Sequence, residues 1–125
     1  MNKKYIIKKN EEIKNIVNNS NKIVSKYFII YYVNNQLKFN RYCISVSKKI
    51  GKAHSRNLYK RRIKDILMKN FINNNKDYVI ILRNSVLNSN YIELKDELIK
   101  ILKEKWYEEK NINIVFSNHY IIRLY

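Results

Sequence analysis

No proline occurs in this chain of 125 residues, and Gly51 is its only glycine. Turns must therefore be made by other residues. The runs Asn18-Asn19-Ser20-Asn21 and Asn73-Asn74-Asn75 read as loops, because asparagine tolerates the left-handed conformation and closes turns through its side chain. A single glycine also excludes a glycine-rich loop that cradles phosphate. The lone cysteine, Cys43, excludes an internal disulfide and fits a reducing, cytoplasmic setting. It alternates with inward strand residues, which makes it most simply a small core residue. No apolar run approaches the ~20 residues of a membrane span, so no membrane partner is expected. The N-terminal "MNKKYIIKKN" has too short an apolar core for a secretory signal.

Acids are scarce where they would matter most. Residues 1–83 hold only Glu11, Glu12, Asp65 and Asp77. Two-metal phosphodiester chemistry needs clustered carboxylates, and helix starts already account for at least two of these four. The later acids sit on the outside of the last helix, separated by lysines. His54 and His119 have no spacing that suggests a metal site or a proton-transfer pair; a surface histidine is the simplest account of His54. No catalytic residue, no metal ligand and no small-molecule substrate is expected of the protein itself.

What is present instead is positive charge, a net of +16. A chain rich in Asn, Ile and Lys carries some lysine through compositional bias, but bias does not explain its placement. Residues 1–83 hold 20 Lys and Arg against 4 Asp and Glu, whereas residues 84–125 hold 6 against 6. Three of the six arginines, Arg56, Arg61 and Arg62, fall in one short segment. A one-sided excess of this kind is the footprint of a polyanion, nucleic acid first and a membrane surface second.

The elements are legible as one domain spanning residues 1–125. Asn10 is placed to cap a short helix, Glu11 to Val17, with its acids in the first turn. Lys26 to Val33 and Arg41 to Ser47 read as strands, and Asp77 to Arg83 as a buried central strand. Ser55 is placed to cap a helix running to about Asn70, and Ser89 or Asn90 to start a long helix to roughly Lys110. Leu94, Leu98, Ile101, Leu102 and Trp106 form the inner stripe of that last helix. Residues 111–125 suggest one or two strands. The expected class is α/β, an α-β-β-β-α-β-α sandwich of a small mixed sheet with helices.

The stretch "SVSKKIGKAHSRNLYKRRIKDIL" concentrates the charge. On a wheel of about 100° per residue, Tyr59, Ile63, Ile66 and Leu67 make the buried face. Arg56, Lys60 and Lys64 run down one shoulder, with Asn57 and Arg61 beside them and Arg62 on the opposite shoulder. No acid interleaves before Asp65, so the face lacks the pairing of an ordinary solvated helix. Arg56 and Arg61 suit bidentate grips on phosphate, and Lys48, Lys49, Lys52, Lys60 and Lys64 act as point charges. Asn57 serves as a cap or bonds a sugar or base edge.

Those residues resemble the signature of the bacterial ribonuclease P protein subunit. In order they are Ser47, Lys48, Lys49, Gly51, Ala53, Arg56, Asn57, Lys60, Arg61 and Lys64, with "IIKKNEEI" and "KDYVIILR" as matching flanks. The similarity spans about residues 5–102, and residues 111–125 have no counterpart in it. The resemblance implies a fold similar to a domain of small-subunit ribosomal proteins. It implies binding to a large catalytic RNA and to the 5′ leader of precursor tRNA, which the complex removes by hydrolysis with Mg2+ held mainly by the RNA. The basic helix and its preceding loop would contact the RNA. Phe28 and Tyr31, read as sharing one side of the first strand, and Arg83 would meet the leader; the bland readings are core packing for Phe28, a sheet tyrosine for Tyr31 and a surface arginine for Arg83. Leu58 stands where the family has a second arginine, with Arg62 as an additional charge nearby, and Ile13 and Val17 stand where it has aromatic residues. A structural RNA binder such as a ribosomal protein is the alternative. A helix-turn-helix module would want a helix just upstream of the basic one, and a membrane-surface protein would want exposed bulky apolar residues on it.

Overall fold

The computed structural model describes residues 1–70, 75–109, 113–117 and 120–124, with side chains as far as residue 104. The elements run α1 (Asn10–Asn19), β1 (Asn21–Val24), β2 (Phe28–Asn34), β3 (Arg41–Val46), α2 (Ala53–Lys69), β4 (Lys76–Leu82) and α3 (Tyr91–Glu109). A hairpin of β5 (Asn113–Ser117) and β6 (Tyr120–Leu124) follows. The expected α-β-β-β-α-β-α order is found, with β1 as the strand to which the sequence pattern assigned no residues. No helix among the described residues is long and apolar enough to cross a membrane.

β1 to β4 form one sheet in the order β1-β2-β4-β3. β2 is antiparallel to both β1 and β4, while β3 runs parallel to β4 and is joined to it through α2. β4 is therefore interior, as its apolar centre predicts. A strand covered on both faces reads as a continuous apolar run rather than an alternation. Its Tyr78 lies in a row of three tyrosines across the sheet. Tyr42 on β3 stacks on it at 5.7 Å, and Tyr32 on β2 lies at 6.4 Å on its other side.

The two faces carry different helices. Phe28, Ile30, Tyr78, Ile80 and Leu82 pack under α2 and α3, meeting Ile63 and Ile66 of α2 and Leu94 and Leu98 of α3. On the opposite face α1 lays Ile16 against Val79 and Ile7, with Ile13, Val17, Tyr31, Val33 and Cys43 around them. The N-terminal segment joins that layer, since the Ile7 N–H donates to the Tyr42 carbonyl at 2.8 Å.

Three local expectations are corrected. α1 begins at Asn10 with Lys9 as its unassisted cap, so Asn10 is the first helical residue rather than the cap. α2 begins at Ala53, two residues before Ser55, and its cap position is Lys52 with no side-chain bond. The run Asn18-Asn19-Ser20-Asn21 is not a loop: Asn18 and Asn19 end α1, and Asn21 opens a strand, because the backbone of β2 supplies partners through the register Asn21–Tyr32 to Val24–Ile29. The reading of Asn90 is borne out: its Oδ1 accepts from the Glu93 N–H at 2.9 Å, and Glu93 accepts in return from the Asn90 N–H. Asn75 holds a positive φ of 55°, as a turn asparagine would; residues 73–74 and the Trp106 side chain lie outside the described residues.

At one end of the sheet an ion network ties three elements together. Arg41 on β3 grips Asp77 on β4 through two bonds of 3.0 and 2.7 Å and reaches Glu12 on α1 at 3.1 Å. Asn35 adds a bond of 2.9 Å to Asp77. The Asp77 carboxylate raises the guanidinium pKa by hydrogen bonding, against the opposing effect of burial.

Candidate nucleic-acid interface

The basic segment begins as β3 ends. A 3-10 turn, Lys48–Ile50, is anchored by Ile50, which is buried in the main core, so Lys48 and Lys49 project outward. Gly51 then takes φ 155°, and a Cβ there would sit 3.1 Å from the Ser55 Cβ. Both the backbone conformation and the close approach favour glycine at this point. Gly51→Ala is expected to cost about 1–2 kcal/mol and to displace the loop from the start of α2. A thermal melt together with amide shifts confined to residues 47–56 would check this, and an unchanged melting midpoint would contradict it.

α2 holds its charges against their mutual repulsion. Like charges at i,i+4 cost about 0.2–0.5 kcal/mol per pair. Each buried Ile or Leu returns about 1.5–3 kcal/mol, and Ile63, Ile66 and Leu67 are all buried. Packing wins, so the helix can keep a face without acids.

The described side chains follow the wheel. Lys48, Lys49, Lys52, Asn57 and Arg61 are exposed, while Arg56, Lys60 and Lys64 lie half-buried along the shoulder. Arg56 buries its Nε without a hydrogen-bond partner among the described residues. Asn57 sits in the second turn of a helix that starts at Ala53, so it is not a cap. Arg62 lies over the ring of Tyr59 at 5.5 Å, so it is committed to its own helix, and Leu58 remains exposed where the resemblance expects a charge. The one acid of the helix, Asp65, bonds the Tyr91 hydroxyl and pairs with Lys69 at 3.3 Å. Those two contacts, the hydroxyl first, pull its pKa below the ordinary value.

The opposite face supplies a second surface. Tyr31 is half-buried beside Ile13 and Val17 of α1, and the ammonium of Lys22 on β1 lies 5.9 Å from its ring. Lys22 was missed in the sequence because β1 was missed; the register Lys22–Tyr31 puts the two side by side. Arg83 is exposed, continues the Val79–Ile81 side of β4 by strand alternation, and donates to the Ser25 carbonyl at 2.6 Å. Phe28 does not belong here. It is fully buried under α2 and α3, on the face away from Tyr31. Positions three apart on a strand point to opposite sides, so the shared side read for the pair is wrong and Phe28 has no surface for a base.

The acids that could have held a metal are engaged elsewhere. Glu12 and Asp77 bind Arg41, Glu93 accepts from the Tyr27 hydroxyl, and Glu97 accepts from the Tyr27 N–H and the Ser25 hydroxyl. No group of three or more His, Cys, Asp or Glu converges among the described residues. The described acids therefore do not assemble a dedicated magnesium site.

A family model for ribonuclease P matches residues 1–106. The chain belongs to the ribonuclease P protein family. It is 45% identical over 108 residues to the ribonuclease P protein component of Mycoplasma mycoides, covering 83% of this chain and 98% of that one. Against the component of Carboxydothermus hydrogenoformans the identity is 43% over 108 residues, covering 82% and 92%. Among solved structures, the RNase P protein of Staphylococcus aureus superposes with TM-score 0.73 at 32% identity, covering 81% of this chain and 94% of that one. The RNase P protein of Thermotoga maritima gives 0.70 at 25% identity, covering 74% and 90%. The family match ends before β5, so the C-terminal hairpin lies outside it.

Proposed function

We propose that this chain is the RNA-binding subunit of ribonuclease P, assisting a catalytic RNA in removing the 5′ leader from precursor tRNA. The observation that carries the reading is the cationic face of α2 and its preceding loop, free of acids from Lys48 to Lys64, in a member of this family. In this division of labour Lys48, Lys49, Lys52, Arg56, Lys60, Arg61 and Lys64 neutralise phosphates of the catalytic RNA, and Asn57 bonds a sugar or base edge. The α1 face receives the single-stranded leader, with Tyr31 as a stacking platform and Lys22 and Arg83 as backbone contacts. Hydrolysis is carried by the RNA, which holds the Mg2+.

The test is precursor tRNA cleavage by a bacterial catalytic RNA at low magnesium, with and without the protein, on substrates with long and absent leaders. Protein-dependent cleavage and tighter binding only with a leader support the reading. RNA binding with no such effect would leave a scaffold of the ribosomal-protein kind. Tyr31→Ala is expected to weaken leader-bearing precursor by about 5- to 100-fold, the worth of one stacked base, with little effect on mature tRNA. Equal losses on both substrates would remove Tyr31 from the leader site.

A further inference from the structure

A pocket of ≈ 180 Å³ opens between the N-terminal segment, the outer edge of β3 and α2, lined by Ile6, Ile7, Cys43, Ile44, Lys60 and Lys64 among others. Its position is distinctive. Cys43 packs with the α1 face, whereas Lys60 and Lys64 belong to the basic shoulder of α2, so the pocket joins the two surfaces assigned above. Its volume is below the ~300 Å³ at which pockets for drug-sized ligands begin. The walls mix the aliphatic side chains of Ile6, Ile7 and Ile44 with polar surface, and neither lysine has an ion-pair partner among the described residues. Lys3, Lys4, Lys8 and Lys9 stand exposed on the bordering segment. A ligand that matches has one ring system small enough for the cavity and anionic groups attached on either side.

We propose that this pocket receives a single unpaired base of bound RNA, with the phosphates flanking it held by Lys60 and Lys64. The proposal rests on the RNA-binding reading and adds a base-sized site to it. Recognition is by burial rather than by reading the base edge. The Tyr42 hydroxyl in the lining already accepts from the Asn40 amide at 3.3 Å, and the side chains of Ile6, Ile7 and Ile44 carry no hydrogen-bonding group to read a base edge. Any of the four bases is accommodated, and a strand crossing from the α2 side to the α1 side places one there.

Cys43 is the only thiol in the chain and is partly accessible in the pocket wall, which makes it a built-in reporter. Burial pushes its pKa up while Lys60 draws it down, so it alkylates slowly but measurably. The experiment measures iodoacetamide alkylation of Cys43 in the full chain at low salt. It compares saturating hexauridylate with an abasic ribose-phosphate strand of equal length. Hexauridylate is expected to slow alkylation by about fivefold or more, the lower end of what sequestering one base is worth. The abasic strand should bind with a similar salt slope and leave the rate unchanged. Protection should persist in Tyr31→Ala, which separates the pocket from the leader face, and disappear in Ile6→Trp, which fills the pocket from its bordering segment. Binding of hexauridylate without protection, equal protection by both strands, loss of protection in Tyr31→Ala, or its survival in Ile6→Trp would each overturn the pocket while leaving RNA binding intact. Failure of both strands to bind would overturn the RNA-binding reading as well.

Discussion

Replacing Arg56 and Arg61 together by alanine should lower affinity for the catalytic RNA by about 100-fold near ~0.1 M salt and flatten the salt dependence by about 1.5 logarithmic units per decade. Each charge-assisted contact to phosphate is worth about 1.5 kcal/mol or more, and each neutralised phosphate adds about 0.7–0.9 to the slope. The two residues sit on adjacent stripes of α2, so they reach different phosphates and their losses should combine. Neither supports the core, which rests on Ile63, Ile66 and Leu67, so the melting midpoint should stay close to that of the parent. Lys69→Ala is the internal control, because Lys69 is already paired with Asp65 at the far end of the helix. Filter binding over a salt series reads all three proteins. Unchanged affinity in the double variant, or an equal loss in Lys69→Ala, would remove this face from the interface.

The largest loss of stability is expected from Asp77→Ala. Asp77 is buried, and it holds Arg41 through two bonds while accepting a third from Asn35. Removing it leaves a half-buried guanidinium facing a void, with Glu12 as its remaining partner. Breaking a buried pair in this way costs about 3 kcal/mol, which for a domain of this size lowers the melting midpoint by about 10 °C. Asp77→Asn keeps the shape and one acceptor and should lose less. The effect should reach function through α1, which Glu12 ties to the same arginine. Calorimetry on both variants checks the order, and an Asp77→Ala protein as stable as the parent would contradict the network's role.

Much of this was legible because the responsible residues lie close together in the chain. The helical spacing of Tyr59, Ile63, Ile66 and Leu67 and the apolar run of β4 each report a buried face directly. The cap at Asn90 has its Glu three residues on, and the structure closes both bonds. What escaped depends on distant partners. β1 has poor strand formers, Asn21 and Lys22, and exists because β2 offers a free edge. The start of α2 is set by the backbone of Gly51 rather than by a capping side chain, so Ser55 marks a start later than the real one. The network of Glu12, Arg41 and Asp77 joins residues far apart in the chain, and no local pattern announces it. The error over Phe28 was of another kind, an odd spacing read as an even one on a strand.

The single bond from Ile7 to Tyr42 has a consequence for how this molecule behaves in a crowd. β3 is an outer strand of the sheet, and unprotected outer strands are templates for pairing with another copy. The N-terminal segment guards it only at Tyr42; farther along, no described strand pairs with that edge. The lysines of α2 and of the segment itself complete the protection by repelling a second, equally charged chain. A shortened protein lacking its first seven residues would keep the core under α2 and α3, but would lose Ile7 from the α1 layer together with that guard. It should then self-associate in a manner that low salt suppresses, so solubility here is a property of the opening residues as much as of the folded body.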